Sequence, residues 1–249
     1  VNPDEYRRMR ACEEQLWWYK CLHRYLLRFV PAAARDSRAR ALDIGCGTGG
    51  FLRRLMGSGY EVTGIDVSPL AIAELNEEPG TTIGVVGDAN HLPFESGSFD
   101  LVSCVDVLEC EPVDPHAAVR EAVRVMGPGA TGIFQMAAHQ WLLSEHDRAV
   151  HSVRRFNRKQ FLGLFDIPHV DVIHSSYLFF LLFPLMAAWK LLNPPARHVD
   201  RDEAVSDVKL PNPLLNRLLQ LPCAVEAILL PYVCLPAGTS VFAVVRKEG

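Results

Sequence analysis

Residues 41–52 read Ala41-Leu42-Asp43-Ile44-Gly45-Cys46-Gly47-Thr48-Gly49-Gly50-Phe51-Leu52. An apolar run ends in an acid, a glycine-rich turn follows, and an amphipathic pattern begins. This predicts a buried strand that passes through a tight loop into a helix. Glycine admits positive φ and lets a ligand come close to the backbone. The amides that open the following helix face that ligand.

Outward from this unit the pattern repeats. Residues 59–66 form a second strand ending in Asp66, and Ser68-Pro69 opens a helix with a capping hydroxyl and a proline just inside. Residues 83–88 form a third strand ending in Asp88, and residues 99–105 a fourth. A helix over 114–125, a turn at Gly127-Pro128-Gly129 and a fifth strand over 132–136 follow. Alternating strands and helices predict an α/β, Rossmann-like, doubly wound parallel sheet with its ligand at the carboxyl ends of the strands. Beyond residue 138 the pattern changes. Residues 139–165 are polar, basic and helix-like; 170–175 suit a sixth strand; 193–213 read as a mobile, proline-rich loop; 214–230 are again helical; 240–246 close the sheet. The roughly 60 residues between the last two strands are an insertion by the length expected of such connections. Before the first strand, residues 3–30 read as a helical arm ended by Pro31. Its adjacent Trp17, Trp18 and Tyr19 cannot share one helix face, so the arm either packs on the domain or forms a lid over the ligand.

Length and composition narrow the function. The chain has 249 residues, 49% hydrophobic and 22% charged, enough for one large globular domain. A net charge of −4 supplies no general field for nucleic acid. The seven cysteines are odd in number and contain no CxxC, so neither a disulfide framework nor a zinc site is expected, and no metal is assigned. With no signal-peptide pattern at the start, a reducing cytoplasm is the expected setting. Residues 177–192, YLFFLLFPLMAAWKLL, are interrupted by Pro184 and Lys190. They fall short of the ~20 apolar residues of a spanning helix. They read as a buried or interfacial helix pair: a pocket wall, a membrane-surface contact peripheral to the bilayer, or a dimer face.

Gly45-x-Gly47-x-x-Gly50 matches the dinucleotide fingerprint, but glycines alone do not choose a ligand. Asp43, two residues before the first glycine, repels a pyrophosphate and attracts an ammonium group. Asp66 is placed to accept hydrogen bonds from ribose hydroxyls, and Asp88-Ala89 suits an adenine amino group. With these residues on the page, the run 41–137 resembles the class I S-adenosyl-L-methionine-dependent methyltransferase family. The matching pieces are LDIGCGTG (42–49), GIDVSPLAI (64–72), GDANHLPFESGSFDLV (87–102), VLEC (107–110) and EAVRVMGPGATGIF (121–134). The resemblance implies a seven-stranded sheet, mostly parallel with one antiparallel strand, and S-adenosyl-L-methionine as cofactor. It implies that loop 45–49 (Gly45, Cys46, Gly47) lies under the methionine part and that Asp43 helps hold the amino group. Asp66, with Val67 beside it, would hold the ribose; Asp88 and Ala89 the adenine; Val105 would lie near the methionine chain. The family often has Glu-His after strand four, where this chain has Glu109-Cys110. One domain over 1–249 follows: a helical lid or arm at 1–35, a cofactor-binding core at 36–138, an acceptor-side region with a helical insertion at 139–236, and a closing strand at 237–249.

The acceptor side is rich in chemistry. Asp147 and His151 are one helical turn apart and expected to pair, which would make His151 a base. His146 and Glu109 are further catalytic candidates, and Arg154 with Arg155 could clamp a phosphate or carboxylate. Trp18, Tyr19 and His139 complete the expected acceptor contacts. Trp141, Ser144, His146, Asp147, His151, Arg154, Arg155 and Phe156, followed by Phe183-Pro184, resemble a bacterial small-molecule subgroup of the same family; Glu14 with Trp17-Trp18-Tyr19 resembles its leading arm. Apolar walls beside an arginine pair suggest an amphiphilic acceptor: an isoprenoid, lipid or other secondary metabolite with an anionic head. The rival readings are a nicotinamide-dependent oxidoreductase on the same glycine pattern, and a non-catalytic cofactor- or lipid-binding protein. A monomer or homodimer is expected.

Overall fold

In the computed structural model, residues 10, 13–33, 39–77, 83–144, 147, 151–192 and 210–249 are described. Seven strands form one sheet in the order β3-β2-β1-β4-β5-β7-β6. They are β1 (Arg40–Ile44), β2 (Glu61–Asp66), β3 (Ile83–Val86), β4 (Phe99–Val105), β5 (Met126–Ala137), β6 (Val170–Leu178) and β7 (Ser240–Lys247). β1 to β5 pair in parallel, while β7 runs antiparallel between β5 and β6. The strand order reverses beside β1 and β4, so the crevice at their carboxyl ends is the expected ligand position.

The central strands carry apolar side chains on both faces, as a sheet covered on both sides requires. Leu42, Ile44, Val102, Cys104, Phe134 and Met136 point to one core, and Ala41, Leu101 and Ile133 to the other. The first core is closed by α4 (Pro115–Val125) and α5 (Arg158–Leu162), the second by α1 (Trp17–Leu27), α2 (Gly50–Gly57), α3 (Pro69–Asn76) and α8 (Gln220–Leu229). Local chemistry sets the helix starts. Ser68 accepts the amide of Ala71 at 3.3 Å, and Asp114 caps α4 by accepting that of His116 at 2.9 Å, each with proline next in the chain. Lys247 closes the other end of α4, donating to the carbonyls of Val123 and Met126 at 2.9 and 2.7 Å.

Four expectations are corrected. β5 begins at Met126, opposite Phe99, and absorbs Gly127-Pro128-Gly129 in a register shift rather than starting after a turn. Residues 139–165 are not one helix. They hold a 3-10 turn at Gln140–Leu142, isolated bridges from Ser152 to Cys110 and from Phe156 to Ala138, and then α5, opened by an Asn157–Gln160 capping box. His139 and His151 both take left-handed φ, 63° and 58°, which no helix continues through. Residues 177–192 are not a helix pair: Tyr177 and Leu178 finish β6, Phe179 turns the chain with φ 62°, and only α6 (Phe183–Leu192) is helical, with no buried residue. Pro184 sits in the first turn of α6, where its missing N–H costs no bond. The arm is not one continuous helix: Arg10 and Glu13 are helical, residues 14–16 leave the helix, and α1 begins at Trp17, while residues 3–9, 11 and 12 lie outside the described residues. The mobile-loop expectation at 193–213 falls largely outside the described residues, as does His146. Among the described residues, no helix is long and apolar enough to cross a membrane.

Candidate active site

The carboxyl ends of β1, β2, β4 and β5 meet at loop 45–49. Gly45, Gly47 and Gly49 have φ of 69°, 52° and 89°. Gly45 has a second reason to be glycine, since a Cβ there would stand 2.1 Å from Val107 Cγ2. Gly47 differs: nothing lies within 4 Å of its Cβ position, so the loop backbone is open to a ligand on that side.

Asp43 is 3% exposed beneath the loop, and its Oδ1 accepts the hydroxyl of Ser103 at 2.6 Å. Burial pushes its carboxyl up to about 7 against the help of Ser103, and Glu13 and Asp66 add to the rise. Asp66 ends β2 and accepts the amides of Gly47 at 2.9 Å and Ser68 at 2.8 Å, tying loop 45–49 to α3. Burial raises it too, and those two amides oppose the rise. Beyond β3, Asp88 stands not at the strand end but in an Asx turn, accepting the backbone and side-chain nitrogens of Asn90, both at 2.8 Å. Cys46 is buried, Ala89 and Val105 are half-buried, and Val67 is exposed at the rim. The acids suit a cationic ligand with ribose-like hydroxyls better than a pyrophosphate.

At the end of β4 lies a feature only half seen from sequence. Asp106 has φ 54° and accepts the side-chain N–H of Gln135 at 3.1 Å. Three residues on, Glu109 is 3% exposed and accepts the amide of Ala137 at 3.1 Å through Oε1. Burial first, and then the neighbouring Asp106 charge, hold the Glu109 carboxyl well above the usual carboxylate range. Burial also raises Asp106, eased by Glu109, Gln135 and Arg155. Two such neighbours share one proton, held on Glu109. Glu109 Oε2 and Gln135 Oε1 are buried without a well-aligned partner among the described residues. Asp106, Gln135 and Ser103 were not singled out from sequence, although a second acid three before Glu109 was the available signal.

The expected Asp147–His151 pair does not form. Asp147 is buried and takes two bonds from Arg155 Nη2, at 2.7 and 2.9 Å, plus the amide and hydroxyl of Ser144 at 2.5 and 2.6 Å. A doubly bonded guanidinium beats an imidazole for a buried carboxylate, and His151 is left exposed at a turn. The arginines do not form an open clamp. Arg155 also donates to Ala138 O at 3.2 Å, and Arg154 Nη1 donates to the carbonyls of Leu108 and Val113 at 3.3 and 2.5 Å. Arg154 therefore fixes the loop that carries Glu109.

Beside this ion pair is an open cavity of about 500 Å³, lined by His139, Trp141, Arg155, Phe156 and Asn157. The His139 ring stacks on Tyr177 at 5.0 Å, and burial lowers its proton affinity. Its Nε2 has no partner among the described residues. Across the sheet, Trp18 stacks on Phe179 at 6.1 Å, and Tyr19 meets the Trp18 edge at 4.9 Å. Among the described residues, no group of His, Cys, Asp or Glu is arranged to hold a metal ion.

A seven-stranded sheet in this order, with acids ringing a glycine loop, defines an α/β enzyme of the Rossmann-like class. A family model described as "Methyltransferase domain" matches residues 42–134. The ubiquinone biosynthesis O-methyltransferase of Pseudomonas aeruginosa is 30% identical over 210 residues, covering 71% of this chain and 86% of that protein. The chain thus belongs to the class I S-adenosyl-L-methionine-dependent methyltransferases. Two solved structures share the fold. The Haloferax volcanii Trm112 activator complexed with a methyltransferase gives a TM-score of 0.64 at 17% identity, covering 97% of this chain and 94% of that one. The geranyl diphosphate C-methyltransferase of Streptomyces coelicolor, with S-adenosyl-L-homocysteine, gives 0.60 at 13%, covering 92% and 76%. The chain is an S-adenosyl-L-methionine-dependent methyltransferase.

Proposed function

We propose that this chain methylates a hydroxyl oxygen of an amphiphilic small molecule, an aromatic or isoprenoid-like head with an apolar tail. The observation that carries the reading is the Asp106–Glu109 carboxyl pair at the end of β4, Asp106 held by Gln135 and Glu109 by the amide of Ala137, with Arg155 of the aromatic-lined cavity easing Asp106. When bound, the donor supplies a sulfonium methyl and leaves as the neutral thioether. Asp43, Gly45, Cys46, Gly47, Asp66, Val67, Asp88, Ala89 and Val105 are the residues we assign to holding it. Asp106 takes the acceptor's hydroxyl proton as the new C–O bond forms, and neutral Glu109 keeps the second charge out of the pair. His139 and Trp141 pack against the acceptor ring, while half-buried Arg155 sets the cavity's positive wall. In this reading the carboxyl pair, rather than His151 or His146, serves as the base.

An apolar tail fits the surface beyond the cavity. Leu185, Trp189 and Leu192 of α6 are 66%, 68% and 81% exposed, and Leu221 and Ile228 of α8 are 62% and 64% exposed. An apolar surface of this kind marks an interaction site, so we take the chain as a cytoplasmic protein that meets its acceptor at a membrane surface. The O-methyltransferase relative supports oxygen as the methylated atom.

Labelled-methyl donor incubated with hydroxylated rings, with and without alkyl tails, tests this by mass spectrometry. Label is expected on oxygen, with kcat/KM at least about tenfold higher for tailed acceptors, the gain of burying two or more CH₂ groups. Transfer to carbon in a hydroxyl-free isoprenoid, with none to hydroxylated rings, would overturn the reading.

A further inference from the structure

The donor loop is held by a residue of the arm that the sequence did not mark. Glu13, in the arm, is 7% exposed. Its Oε2 accepts the hydroxyl of Thr48 at 3.0 Å and Arg53 Nη2 at 3.2 Å, while Arg53 Nη1 donates to the carbonyl of Thr48 at 2.9 Å. Thr48 is 1% exposed. A carboxylate from the arm, a hydroxyl of the loop and a guanidinium of α2 thus close a triangle at loop 45–49. Desolvating a carboxylate is unfavourable unless it is paired. An arm that served only to cover apolar surface has no need of one here.

Gly50 supplies an independent sign. It opens α2 without positive φ, so its backbone does not call for glycine. A Cβ on Gly50 would stand 2.7 Å from Glu13 Oε2 and 2.8 Å from Glu13 Cδ. The missing side chain is the seat of the Glu13 carboxyl. The arm is tied down a second time by Arg10, whose Nη1 lies 3.3 Å from Glu74 Oε2 on α3. Further along, Trp17 and Trp18 pack on Phe179 at the end of β6.

We propose that Glu13 is a donor-retaining latch: seated in the Gly50 notch on Thr48 and Arg53, it docks the arm over loop 45–49, so that release of the methyl donor requires the arm to undock. This rests on the donor lying over that loop. Glu13 acts through the loop and the arm, and is a positioning residue rather than a catalytic one. By linkage, whatever fixes the arm tightens donor binding, and bound donor fixes the arm.

The test uses the full chain with S-adenosyl-L-methionine and S-adenosyl-L-homocysteine, in stopped-flow and equilibrium titrations read by fluorescence of Trp17 and Trp18. Glu13→Gln is expected to raise the donor off-rate and Kd about tenfold, and the donor KM in step, with a much smaller change in kcat. Gly50→Ala, which suits a helix but fills the notch, is expected to do the same. In a Glu13→Ala background, Gly50→Ala should add nothing. Thermal melts establish that each variant is folded. Unchanged off-rate and Kd in folded Glu13→Gln and Gly50→Ala would overturn the latch, as would an undiminished Gly50→Ala effect in the Glu13→Ala background. Absence of donor binding to the unaltered chain would overturn the functional reading itself, and the latch with it.

Discussion

Asparagine in place of Asp106 will lower kcat by about 10²–10⁴-fold, the usual contribution of a positioned base, while leaving donor affinity within a few-fold. The substitution is chosen for the backbone as much as for the charge. Asp106 has φ 54°, which asparagine tolerates better than most residues. Its amide oxygen can still accept from Gln135, which bonds Asp106 Oδ1 at 3.1 Å. What is lost is the negative charge of the proposed base. Since burial raises Asp106 above the ordinary carboxylate range, the rate should climb with pH through that raised value and then level off. In Asp106→Asn the climb should vanish with the activity. Glu109→Gln leaves the Asp106 carboxylate in place, so it should cost much less; because Glu109 is one of the groups that ease the rise of Asp106, the climb should move to higher pH. Steady-state rates across pH, with donor and acceptor saturating, check both. A loss below about tenfold in Asp106→Asn would return the base role to the histidines.

Asp43→Asn carries the second large effect, and it has opposite signs for binding and for stability. Burial pushes the Asp43 carboxyl up to about 7. Without donor, ionising it in the folded chain is costly. Its contribution to stability is full below the unfolded value near 4 and is lost as pH rises through about 7. Asp43→Asn should therefore melt several degrees higher than the unaltered chain at pH 8, and nearly with it at pH 5. A cationic donor reverses the preference, because its positive charge favours the ionised carboxyl. Donor affinity should strengthen about tenfold between pH 6 and pH 8, because the ionised fraction of a carboxyl pushed up to about 7 rises from about a tenth to about nine tenths over that range. Asp43→Asn should bind about 10–100-fold more weakly at pH 8, with the pH dependence flattened. Calorimetry in buffers of different ionisation heat counts the proton directly. Equal pH dependence in both proteins would show that Asp43 does not sense the donor.

Much of the sheet could be read from sequence because its signals are local. Apolar runs of strand length and the Ser68-Pro69 and Asp114-Pro115 helix starts each act through neighbours a few residues away. The failures share a different cause. His139, His151 and Phe179 take left-handed φ without glycine to announce it, so the tract after β5 and the apolar stretch after β6 looked continuous when each is broken. Asp147 was given to His151 by spacing, yet tertiary structure gives it to Arg155, eight residues away. Glu13 reaches Thr48 across 35 residues, and only the structure joins them. Asp106 was visible as a second acid before Glu109, but its pairing with Gln135 depends on how β4 and β5 align. The glycine loop was legible because its turn is written in consecutive residues. The tract after β5 was not, because its contacts cross the chain.

A calorimetric titration of the chain with S-adenosyl-L-methionine, S-adenosyl-L-homocysteine and NADH, repeated with Asp66→Ala, tests the account at its centre. One saturable site for each adenosyl ligand, no heat with NADH, and severely weakened binding in Asp66→Ala is the predicted result. Binding of NADH, or adenosyl-ligand binding untouched by the loss of Asp66, would contradict it.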